Sequence, residues 1–112
     1  MHTVDPHVPY DPPDEFLQMY DAAAYGGPVQ GRDTPTLLER VKSGQLVLSE
    51  RDMVRLRALY EGEVTYHDDA LARFWKELGT AGLQDDTLLI VTADHGEEFS
   101  EHGKVGHGHS LF

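Results

Sequence analysis

The chain has 112 residues, enough for one small domain that buries about two-thirds of its unfolded surface. Apolar residues at 39% and charged residues at 26% suit a soluble globular protein and exclude a wholly disordered one. Nine Lys and Arg against twenty Asp and Glu leave a net charge of −11, which repels a phosphate backbone or an anionic membrane surface and excludes nucleic acid as the expected partner.

Residues 1–35 read as an extended, proline-rich loop, because Pro6, Pro9, Pro12 and Pro13 fix φ and remove backbone donors. The next region, 36–82, reads as helical. A short helix is expected from Thr36 to Lys42, with Pro35 near its first turn and Gly44 past its end. Ser49 followed by Glu50 and Asp52 then opens a long helix, since Ser accepts a backbone hydrogen bond at the N-cap and acidic side chains suit the positive end of the dipole. Met53, Leu56, Tyr60, Val64, Leu71, Phe74 and Leu78 keep helical spacing along one stripe. Gly62 costs this helix about 1 kcal/mol relative to Ala, and Gly79 and Gly82 are natural stops.

Residues 83–112 read as a strand followed by a site loop. Thr87-Leu88-Leu89-Ile90-Val91-Thr92 is short, apolar and uncharged, as expected of a strand buried on both faces of a parallel sheet. A helix feeding such a strand implies an α/β fold. One strand cannot make a sheet, so the rest must come from other sequence or another chain.

The chemistry-bearing residues cluster at the two ends. Asp94-His95-Gly96-Glu97 follows the carboxyl end of the expected strand, where open α/β sheets place their ligands. Adjacent Asp94 and His95 offer an oxygen and a nitrogen donor for a divalent cation, although a polar turn would use the same residues. His102, His107 and His109 follow on a glycine-rich segment, which reads equally as a solvated, weakly metal-binding tail. At the other end His7 lies between prolines that hold its imidazole in a set position, suited to hydrogen bonding an oxyanion or to a plain structural turn. The absence of cysteine removes any thiolate nucleophile or disulfide from these residues, and no apolar run reaches the roughly 20 residues that span a bilayer. Met1-His2-Thr3-Val4-Asp5 lacks the basic and apolar regions of a signal peptide. Localisation is left unassigned, since an export signal would sit on upstream sequence.

Taken together, Pro6-His7-Val8-Pro9-Tyr10, then Val64-Thr65-Tyr66-His67-Asp68-Asp69-Ala70-Leu71, then Asp94-His95-Gly96-Glu97 resemble, in that order, the motifs of the sulfatases of the alkaline phosphatase superfamily. Glu101-His102-Gly103 and Gly106-His107-Gly108-His109-Ser110-Leu111-Phe112 resemble that family's closing glycine and histidine loop. The resemblance implies part of an alkaline-phosphatase-like three-layer sandwich with a mostly parallel sheet, incomplete in this chain. It implies that Asp94 and His95 are two metal ligands, that His7 contacts the sulfate or the leaving oxygen, and that Lys104 and His107 are both candidates for the residue binding a sulfate oxygen. Tyr66 and Asp68 are expected to dock the helix rather than do chemistry.

The implied cofactor is one divalent cation, calcium by family habit, with manganese or zinc favoured by the Asp-His pair. The same pair occurs in relatives that cleave phosphonate or phosphate esters. The implied partner is a small-molecule or glycan sulfate ester. Neither the Cys-x-Pro-Ser-Arg or Ser-x-Pro-Ser-Arg nucleophile motif, whose first residue becomes formylglycine, nor the upstream Asp-Asp pair occurs here. The expectation is therefore a fragment that begins partway through a longer protein, lacks the N-terminal half of its domain and is inactive alone. The alternatives are a fragment of a phosphoryl-transfer relative, or a non-catalytic acidic module that binds metal.

Overall fold

The computed structural model describes residues 3–109. In chain order it holds a short helix α1 (Asp14–Gln18), a 3-10 turn at Gly31–Asp33, helix α2 (Thr34–Lys42), the long helix α3 (Glu50–Thr80), and two short strands, β1 (Glu98–Phe99) and β2 (Val105–Gly106). The strands pair antiparallel, with Glu98 opposite Gly106 and Phe99 opposite Val105.

α3 begins where the N-cap signal lies. Asp52 N–H donates to Ser49 Oγ at 3.2 Å while Ser49 N–H donates to Asp52 Oδ2 at 2.9 Å, a reciprocal cap that satisfies two otherwise orphan donors. The helix ends at Thr80, and Gly82 takes the left-handed conformation, φ +69°, that terminates it. α1 departs from the expected extended loop. Pro13 fills its N-cap position, Asp14 and Glu15 occupy its first turn, and Leu17 is buried.

The core is built from both ends of the chain. Tyr10, Leu17, Val29, Leu37, Leu38, Leu56, Ala58, Leu59 and Val105 are buried together, with Tyr60 and Phe99 packed against them. Tyr10 is the pivot: its ring meets Tyr60 edge-on at 5.5 Å, and its backbone N–H donates to the buried Thr34 hydroxyl at 2.9 Å. The proline loop lies directly on α3 at Gly62, where a Cβ would stand 2.9 Å from Pro12 Cγ. The next residue, buried Glu63, accepts the Asp11 N–H at 2.8 Å. Tyr66 packs on Phe16 of α1, ring centroids 5.3 Å apart, the docking role expected of it.

Packing ends there. The described residues extend over 53 × 34 × 20 Å with a radius of gyration of 16.5 Å, against about 13 Å for a compact domain of this length. The excess comes from the second half of α3, a helix about 46 Å long at 1.5 Å per residue. The expected strand Thr87–Thr92 forms neither strand nor core: Leu88 is 85% and Ile90 77% exposed, and no segment among the described residues pairs with it. A buried central strand needs a neighbour on each edge, and a two-residue hairpin supplies neither.

Candidate metal and anion site

The site is set by the register of the closing hairpin. With Glu98 opposite Gly106, the flanking residues Glu97 and His107 also fall opposite one another, and His107 Nδ1 lies 2.9 Å from Glu97 Oε2. Glu98 knits the hairpin from within. Its Oε1 accepts the N–H groups of His102 and Lys104 at 2.9 and 3.2 Å, and its Oε2 lies 3.0 Å from His109 Nε2. The His109 contact is the chief reason that its carboxyl is held below the usual carboxylate range. Arg57 of α3 pairs with Glu101 and fastens the hairpin to the core.

On this frame His107 meets two other imidazoles. The His95 ring stacks on it at 4.1 Å and 29°, and the His7 ring lies 5.5 Å away at 58°. Three histidines from positions 7, 95 and 107 thus converge. Lys104 does not join them through a side-chain contact: it is exposed and lines, with His107 and His109, a cavity of about 640 Å³ whose wall includes Val41, Leu46, Leu48 and Met53. Lys42, at the end of α2, lines the same cavity, and its Nζ would lie 3.1 Å from a Cβ placed on Gly106. Gly106 has φ +85°, so both its conformation and this close approach call for glycine. Ser110-Leu111-Phe112 of the expected loop lie outside the described residues.

Of the pair expected to hold the metal, His95 stacks on His107, and Asp94 stands beside it with its Oδ1 3.8 Å from His95 Nε2. Asp94 is 92% exposed at its side chain, and its Oδ1 accepts the His95 N–H at 3.1 Å. The donors that converge among the described residues are His95, Glu97 and His107, which can each offer a ligand atom within 4.8 Å of the others. Two imidazoles and one carboxylate form a mixed nitrogen and oxygen set that fits zinc or manganese better than calcium. Glu97 stands in the same Asp-His-Gly-Glu motif but carries no expected role. Its signal is the two-residue spacing from His95, which puts both side chains on one face of an extended segment. The phenol of Tyr10 faces Glu97. Burial, and then the Glu97 charge, hold that phenol far above its ordinary range, so it stays neutral.

The sulfatase family profile matches residues 1–111. Among curated proteins, the chain is 28% identical to the Multifunctional alkaline phosphatase superfamily protein PehA of Trinickia caryophylli, over 96% of this chain and 25% of that protein. It is 26% identical to an Arylsulfatase of Clostridium perfringens, over 91% of this chain and 22% of that protein. The chain therefore spans about a quarter of the length of these relatives. No solved structure matches it.

Proposed function

The chain belongs to the sulfatase family, and on that premise we propose that it is the closing part of the catalytic domain of a metal-dependent sulfuric ester hydrolase. The observation that carries this reading is the convergence of His7, His95 and His107 from opposite ends of the chain beside the buried carboxylate of Glu97. In this reading Asp94 and His95 hold the divalent cation, whose bound form supplies the positive charge that offsets the charge of the ester. His7 donates a hydrogen bond to the leaving alcohol oxygen as that oxygen gains electrons. His107 and Lys104 donate to the non-bridging sulfate oxygens, reversing locally the acidity of the whole chain. The cavity beside them receives the alcohol, its apolar wall at Val41, Leu46 and Met53 covering a hydrocarbon or aryl group. The nucleophile, formylglycine in this reading, belongs to sequence outside these 112 residues.

A second reading, cleavage of a phosphonate or phosphate ester, rests on His95 standing where sulfatases commonly place asparagine beside the metal-binding aspartate. One experiment tests both. The longer protein carrying this chain is assayed on an aryl sulfate and an aryl phosphonate of the same alcohol, alongside His7→Ala and His107→Ala. Sulfate turnover reduced about 100-fold or more by each substitution is expected, the usual scale for lost acid, base or oxyanion assistance. Faster phosphonate cleavage would establish the second reading, and full activity in both variants would overturn the site.

A further inference from the structure

We propose that the cavity beside His107 selects esters whose alcohol portion carries an anionic group of its own, a carboxylate or a second sulfate, and that Lys42 is the residue that receives it. The inference deepens the hydrolase reading and rests on it for the placing of the reacting sulfate at His107. Its first support is the distribution of charge. The chain is strongly acidic, with twenty Asp and Glu against nine Lys and Arg. The cavity of about 640 Å³ reverses that balance: among the described residues its wall includes Lys42, Lys104, His107 and His109, and neither Asp nor Glu. Such a wall sets a local positive field within a negative molecule.

The second support is the position of Lys42. His109 Nε2 lies 3.0 Å from Glu98 Oε2, and under the hydrolase reading His107 and Lys104 belong to the reacting sulfate. The Lys42 side chain leaves the last turn of α2 and crosses the hairpin at Gly106, where a Cβ would stand 3.1 Å from both its Cε and its Nζ. The missing side chain of Gly106 gives the ammonium its place. Among the described residues no carboxylate oxygen lies within ion-pair distance of it. Glu97, whose Oε1 stands 3.4 Å from the same point, already holds His107 through Oε2 and faces the Tyr10 phenol. Lys42 and His107 also share the wall of an adjoining cavity of about 260 Å³, which makes them neighbours. An anion on Lys42 therefore stands next to the sulfate on His107, with the apolar wall at Val41, Leu46 and Met53 against the carbon skeleton that joins the two. Lysine suits this role as a point charge on a flexible stem, which takes carboxylate and sulfate alike.

The test compares three substrates of the longer protein: phenyl sulfate, meta-carboxyphenyl sulfate and resorcinol disulfate. Lys42 is exposed, so its substitution leaves the core intact. Lys42→Met keeps the stem that packs on Gly106 and removes the charge, and Lys42→Arg restores a charge. In Lys42→Met, kcat/KM should fall about fivefold further for an ester with the second anion than for phenyl sulfate, mainly through KM, the scale of an exposed ion pair. Lys42→Arg should recover most of that difference, and high salt should shrink it by screening. Whichever anionic ester shows the larger difference identifies the anion as carboxylate or sulfate. Binding of phenol and meta-hydroxybenzoate, followed by ligand-observed NMR, reads Lys42 without chemistry. Lys42→Met should weaken meta-hydroxybenzoate about fivefold relative to phenol. A protein that hydrolyses no sulfate ester would sink the hydrolase reading, while this binding comparison still decides the role of Lys42. The same selectivity in Lys42→Met as in the parent would overturn the proposal, whether activity is kept or is lost equally on all three esters.

Discussion

Glu63 is a carboxyl group placed where a carboxylate is costly. Burial raises its pKa above the ordinary range, the charges of Asp5 and Asp11 push the same way, and the Asp11 N–H only partly offsets them. The folded state therefore binds this proton more tightly than the unfolded state, and the stability it contributes at low pH is lost as pH rises through the elevated value. Glu63→Gln keeps an acceptor for Asp11 N–H and cannot ionise. It should match the parent near pH 4 and exceed it near neutrality, by about 0.5–1.5 kcal/mol given one neutral hydrogen bond kept and one buried charge removed. Urea unfolding at both pH values checks this, and a parent that gains stability with pH relative to the variant would contradict it. Individual site residues were legible in the same uneven way. The sequence motifs marked His7, His95 and His107, which the fold brings together, and also Asp94, which stands in solvent beside His95. Glu97 was passed over because its value lies in burial and cross-hairpin register, and neither is written in a four-residue motif.

At the scale of elements, local signals carried furthest. The cap at Ser49 and the helical spacing of Met53, Leu56 and Tyr60 are properties of neighbouring residues, so α3 could be read directly. α1 could not, because the prolines before it dominate the reading, although Pro13 with Asp14 and Glu15 also fits a helix start. Gly62 shows how a nonlocal contact inverts a local rule. Helix propensity alone predicts that Gly62→Ala stabilises α3 by about 1 kcal/mol. The new Cβ, however, would meet Pro12 at 2.9 and 3.2 Å and displace the proline loop that carries Tyr10 into the core. The net effect expected is a loss of about 1–2 kcal/mol, the usual scale of overpacking. In a Pro12→Ala background the 2.9 Å contact with Cγ is gone while the 3.2 Å contact with Cβ remains, so the same Gly62 substitution should cost less than in the parent. The double-mutant cycle reads this coupling, and additivity of the two changes would mean that loop and helix are not in contact.

The whole molecule is two regions with different degrees of completion. Around Tyr10 the loop, the helices and the hairpin close a core, whereas Leu88, Leu89, Ile90 and Val91 stand in water as an extended apolar run. Sequence type and structure disagree there for a physical reason: a strand is realised only by its neighbours, and the described residues of a chain that spans about a quarter of its relatives' length supply none for this one. The family's α/β fold accounts for the composition of the run, as a segment suited to burial between sheet partners. Left open, it is a site for edge-to-edge association between copies. Charging it with Leu88→Lys and Ile90→Lys should therefore reduce self-association of the chain in light scattering at least severalfold at equal concentration. Helical circular dichroism should be unchanged, because both side chains already lie outside the core and exposed substitutions shift stability by no more than about 0.5 kcal/mol. In the longer protein the same two changes should instead lower the melting temperature, since there a lysine would enter a sheet interior at the cost of burying its charge. Equal tolerance in both settings would show that the run is a surface segment in the complete domain too, and that the sheet is built without it.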